Sequence, residues 1–114
     1  MTRARAQSLL WLAQRASAAV LAACVGVHLA TMIIAVRGGL TAAEILSRTR
    51  GSVAWAAFYG VFVLAVAIHV PIGVRTVVAE MRGGHHRVVD GIALVFGVVL
   101  AVLGTRAIVA VTGT

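Results

Sequence analysis

The chain has no lysine, one cysteine, one proline and three acidic residues. Each shortage excludes something. Cys24 stands alone inside an apolar run, so neither a disulfide framework nor a cysteine zinc site can be built, and it reads as a small packing residue. Charged residues make up only 11% against 61% hydrophobic ones, with a mean hydropathy of +1.05. Soluble domains carry about a quarter charged residues, so this composition belongs to a membrane protein. The net charge of +7 comes from arginine alone. Those arginines sit at the ends of apolar runs, where they anchor helices and set topology, and are not gathered on one water-facing surface as nucleic-acid binding requires.

A length of 114 residues leaves room for three spans with short connections, a single membrane domain over residues 1–114. No room remains for a soluble catalytic domain. An active site outside the membrane therefore has to come from partner chains, and the chain is non-catalytic alone. The expected fold is an all-α membrane protein, three transmembrane helices preceded by a short amphipathic amino-terminal segment.

That segment covers residues 1–15, with Arg3, Arg5 and Trp11 as interface anchors. A basic start and an apolar middle suit a secretory leader, but the apolar run continues past Arg15 to Val36, too long for an ordinary h-region, so a retained first span is expected. The first span follows over residues 16–36 and ends at Arg37-Gly38-Gly39. Thr41 and Glu44 form a capping box, predicting a short interfacial helix in the first connection. The second span, residues 53–78, opens with the belt aromatics Trp55 and Tyr59, and Pro71 is expected to kink it. Gly83-Gly84-His85-His86 makes a water-accessible turn, and residues 90–111 form the third span, with Arg106 snorkelling from its outer end. More arginines lie on the side of the amino terminus than on the other, which places that terminus in the cytoplasm.

Two histidines interrupt the spans. Ionisable groups are costly in a bilayer, so each needs a partner or a task, and neutral imidazole is a common ligand of metals and of haem iron. His28 shares a helix face with Ser17, Leu21, Cys24 and Thr31, three of them small enough for a helix or a flat ligand to approach. His69 is followed one turn later by Gly73, which leaves bare backbone where a macrocycle can pack, and then by Arg75 near the membrane exit. For both, the competing reading is a hydrogen bond to a neighbouring helix. Counting about 1.5 Å per residue from the span centres puts the two histidines about 9 Å apart in depth. Axial ligands of one iron share a depth, so these two do not grip the same haem, and each takes its second ligand from another chain.

His69-Val70-Pro71-Ile72-Gly73-Val74-Arg75 with Glu80 resembles the H-x-x-x-G-I-R-H-x-x-x-D segment of the cytochrome b membrane anchors of succinate dehydrogenase and fumarate reductase. Gln14-Arg15-Ala16-Ser17 is similar to the H-R-x-S-G that opens the first span in that family. Span number and order agree as well. The resemblance implies that His69 ligates haem b, with Gly73 and Arg75 beside it, and that Arg15 and Ser17 contribute to a quinone pocket. It also implies a second membrane-anchor subunit or a second copy, an iron–sulfur subunit and a flavoprotein subunit, in a bacterial inner membrane. The chain departs from the pattern at Thr76 and Gln14, where the family has histidine, at Glu80 for aspartate, at Ala18 for glycine, and at Trp11 for a quinone-contacting serine. His28 is similar to members that carry two haems stacked across the membrane, and a haem is expected there too. The alternatives are a cytochrome b anchor of another quinone-linked oxidoreductase and a haem-free structural membrane subunit.

Overall fold

A computed structural model describes residues 2–113. Four helices follow in chain order, α1 (Arg3–Arg37), α2 (Ala42–Thr49), α3 (Val53–Arg82) and α4 (Arg87–Thr112), and no strand occurs among the described residues. α1, α3 and α4 are long and apolar enough to cross a membrane.

Local chemistry explains where each helix starts and stops. Thr2 caps α1 by accepting from the Arg5 amide at 3.2 Å, and the helix gives way at Gly38 and the left-handed Gly39. α2 opens on the expected capping box: Thr41 Oγ1 accepts from the Glu44 amide at 3.2 Å, and the Glu44 carboxylate accepts from the Thr41 amide at 2.7 Å. Ser52 caps α3 through the Trp55 amide, and Gly83 at φ 79° ends it, with the Gly84 amide donating back to the Ala79 carbonyl. α3 thus runs to Arg82 and α4 begins at Arg87, a few residues beyond the expected spans at that end. Apolar content sets the membrane-crossing part, whereas the helices continue into water until a glycine stops them.

A separate amphipathic lead-in over residues 1–15 is not seen; Met1 lies outside the described residues. From Arg3 onward the chain is one uninterrupted helix, because residues 3–25 contain neither glycine nor proline and are rich in alanine, leucine and arginine. At about 1.5 Å per residue, such a helix is longer than a hydrocarbon core of about 30 Å, so part of it extends past the apolar layer.

α3 is the central element, with α1 packed on one side of it and α4 on the other. The α1 face turned to α3 includes Leu10, Gln14, Ser17, Leu21, Cys24, His28 and Thr31, spaced alternately four and three apart as in a helix–helix seam. Ser17 and Cys24 are its most buried members. Small residues also build the contact with α4. A Cβ placed on Gly97 would overlap Pro71 Cγ, and one on Gly104 would lie 2.7 Å from Val63 Cγ2. Pro71 lacks an amide, so the Ala67 carbonyl loses its helical donor. Gly97 brings bare backbone up to that carbonyl, with the same added Cβ 3.5 Å from its oxygen. The α-helix continues through Pro71 without interruption.

At the opposite end of the bundle, α2 and the turn that follows it hold the last turn of α4. Thr49 Oγ1 donates to the Val111 carbonyl at 2.6 Å and the Gly51 amide donates to the Thr112 carbonyl at 2.9 Å. Buried hydrophobic side chains are all small (Cys24, Ala65 and Ala93), while large ones such as Ile34, Leu94 and Val109 point outward. Lipid solvates outward apolar groups, and close approach through small residues is what drives helix association there.

Candidate functional site

His69 and His28 both lie on the α1–α3 seam, at different heights. His69 Nδ1 is 3.4 Å from Ser17 Oγ. His28 sits against Tyr59 and Phe62, with edge-on ring contacts at centroid distances of 6.0 and 5.9 Å. Because α1 and α3 run antiparallel, the height of His69 on α1 is that of Ser17, 11 residues before His28. That is about 16 Å along the helix axis, more than the 9 Å expected from span centres. The difference comes from helix register, which centring each span on its own cannot supply.

The two imidazoles have different surroundings. The Nδ1 of His28 is buried without a hydrogen-bond partner. Its ring borders a groove of about 380 Å³ lined also by Tyr59, Phe62, Val66, Leu100 and Gly104, an apolar hollow walled by α1, α2, α3 and α4. His69 does not line that groove. Beside it, Ser17 and Ala65 border a shallower apolar hollow of about 250 Å³ with Ala13, Ala16, Leu64 and Ile68. For each ring, Nε2 is neither a buried unpaired atom nor hydrogen-bonded to the described residues, so each keeps some accessible surface and no protein partner. Among the described residues no three His, Cys, Asp or Glu side chains converge. The donor set on offer is single imidazoles, as axial ligation of a haem uses.

Toward the amino-terminal end of α1 lies a polar cleft of about 660 Å³ between α1, α3 and the turn after it, lined by Arg3, Trp11, Gln14, Arg75, Thr76 and His85 among others. Arg75 Nε stands 3.2 Å from Asp90 Oδ2, both side chains one-third exposed, and this ion pair ties α3 to the first turn of α4. Gln14 Oε1 is buried and unpaired. Its Nε2 occupies the space over Gly73, 3.1 Å from where a Cβ would stand, so Gly73 serves close approach of α1 at this height.

Arg15 and Ser17 are not brought together. Residues two apart on a helix point to different sides. Ser17 is buried against α3, whereas Arg15 is exposed with its guanidinium 5.1 Å from the Trp11 ring centroid. Three contributors escaped the sequence reading. Gln14 enters it as a departure from the family pattern and Trp11 as an interface anchor and a departure, yet both line the cleft. Asp90 carried a signal of its own, as the acidic residue in the first turn of an apolar helix.

Fold and site together define a three-pass helical membrane protein with two membrane-depth histidines on one helix seam and a cationic cleft at one end. Compared with protein-family models, curated proteins and solved structures, the chain matches none.

Proposed function

We propose that the chain is the haem b-binding membrane anchor of a succinate dehydrogenase-type complex, passing electrons from an iron–sulfur subunit to quinone. The observation that carries this reading is the pair of histidines, His69 and His28, each with an Nε2 that has no protein partner, set about 16 Å apart in height along one seam. Each meets the surface where a second membrane subunit or a second copy would supply the other axial ligand. The motif His69…Gly73…Arg75 and the Arg15-Ala16-Ser17 start support the same family.

The residues fit the group in their donor chemistry. Two imidazoles have no protein partner at Nε2, and an apolar hollow adjoins each. A bound haem would supply one-electron transfer. His69 and His28 would each hold the iron of a separate haem, Gly73 lets the helices close beside the first histidine, and the rings of Tyr59 and Phe62 pack edge-on against the second. Arg75 offers its guanidinium to a carboxylate at the membrane boundary. Quinone is the substrate, and the polar cleft at Trp11, Gln14 and Arg75 is where its head group docks. There Gln14 presents an amide to a quinone oxygen, and Arg75 favours the reduced, more anionic form. On this reading the amino-terminal end faces the cytoplasm of a bacterial inner membrane, where the iron–sulfur and flavoprotein subunits bind. Arg15, exposed and stacked on Trp11, lies at the rim of that surface.

The Ser17–His69 contact is itself a helix-to-helix hydrogen bond, which favours a second reading of a haem-free structural subunit. A reduced-minus-oxidised optical spectrum of the purified complex, with its subunit list, separates the two. A b-type α band is expected, and His69→Gln and His28→Gln each remove one haem from the stoichiometry. Absence of the band refutes the haem reading, and a molybdenum-containing partner in place of the flavoprotein refutes the succinate assignment.

A further inference from the structure

Ser17 is only 6% exposed, and its position decides more than packing. Its Oγ donates to the Gln14 carbonyl one turn back at 3.0 Å and stands 3.4 Å from His69 Nδ1. A serine hydroxyl has one proton and two lone pairs. With that proton committed within α1, the contact across the seam is made when His69 carries its own proton on Nδ1 and donates it to Oγ. The imidazole lone pair then resides on Nε2, the nitrogen that has no protein partner. We infer that Ser17 is a positioning residue for His69: it selects the Nδ1–H tautomer and turns the Nε2 lone pair away from α1. The tautomer stands on hydrogen bonding alone; its consequence for iron rests on the haem reading above. A hydrogen bond accepted from Nδ1–H makes the opposite nitrogen a stronger donor, as partners of metal-bound histidines commonly do.

The test is nitrogen-15 NMR of the full-length, histidine-labelled chain in lipid bilayers, with His69 signals identified by their loss in His69→Gln. Wild type is expected to show neutral His69 protonated on Nδ1. Ser17→Ala moves the population to the Nε2-protonated form, and Ser17→Thr, which keeps the hydroxyl, restores it. A wild-type ring protonated on Nε2, or an unchanged spectrum in Ser17→Ala, overturns the assignment. Ser17→Cys, with its weaker acceptor, gives an independent reading and is expected to fall between wild type and alanine. In the loaded complex, Ser17→Ala keeps its haem but raises the midpoint potential, changing the oxidised-to-reduced ratio about fivefold, the worth of one neutral hydrogen bond. A raised KM for quinone with an unmoved potential would make Ser17 a substrate contact and overturn the inference. A purified complex without a b-type band would sink the haem reading, while the Nδ1–H tautomer measured on the chain by itself would leave the role of Ser17 intact.

Discussion

Replacing Gly97 by alanine tests the architecture at its tightest point. The new Cβ would overlap Pro71 Cγ and stand 3.3 Å from Cδ. A proline ring cannot rotate away, so α3 and α4 must part. Overpacking of this kind costs about 1–3 kcal/mol. Gly91 provides the control, since it lies in the same helix and a Cβ there meets nothing within 4 Å. Both changes remove a glycine from a helix and share the same gain in propensity of about 0.5–1 kcal/mol. The difference between the two variants is therefore the steric term alone. At about 1.4 kcal/mol per factor of ten, it amounts to about 5- to 150-fold in the folded-to-unfolded ratio. Reversible unfolding of the bilayer- or micelle-reconstituted chain, followed by circular dichroism, measures it. Equal stability of Gly97→Ala and Gly91→Ala would refute the claim that bare backbone at Gly97 sets the distance between α3 and α4.

Two further outcomes follow from single contacts. Thr49→Val removes the 2.6 Å bond to the Val111 carbonyl and is expected to cost about 1 kcal/mol, with faster hydrogen exchange at the Gly51 amide as the local readout. Unchanged exchange there would mean that α2 does not hold the end of α4. Arg75→Gln breaks a pair that is one-third exposed, so stability should change by no more than about 1 kcal/mol while the apparent KM for quinone rises severalfold. A large loss of stability with unaltered quinone kinetics would make Arg75 a structural tie only.

Much of the architecture was legible because it depends on local chemistry. Apolar runs marked the three crossings, and Thr41 with Glu44 announced α2 through a motif that closes within one turn. The alternating spacing of Ser17, Leu21, Cys24 and His28 likewise described a real packing face. What stayed hidden depends on how one helix lies along another. Neither the pairing of Arg75 with Asp90 nor the seating of Pro71 on Gly97 leaves a trace in the periodicity of either helix. Separation of Arg15 from Ser17 was readable in principle, since two residues turn a helix by more than half a revolution, but family likeness treated the pair as a unit. Residues 1–15 show the converse case, an expected lead-in that does not stand apart as an element. Their polar–apolar pattern is that of an interfacial segment, yet nothing in them breaks a helix, so α1 runs through.

The bonds from Thr49 and Gly51 to the final turn of α4 join stretches separated by the whole of α3 and its following turn. They can form only after the last crossing has threaded the bilayer in the correct direction. An α4 stalled at the surface or inserted upside down leaves the Gly51 amide without its partner and the Thr49 hydroxyl with only the Ile45 and Leu46 carbonyls of its own helix, each at 3.4 Å. The clasp thus acts as a latch that closes only once α4 lies alongside α3, and an unlatched chain is one with a loose corner at that end of the bundle.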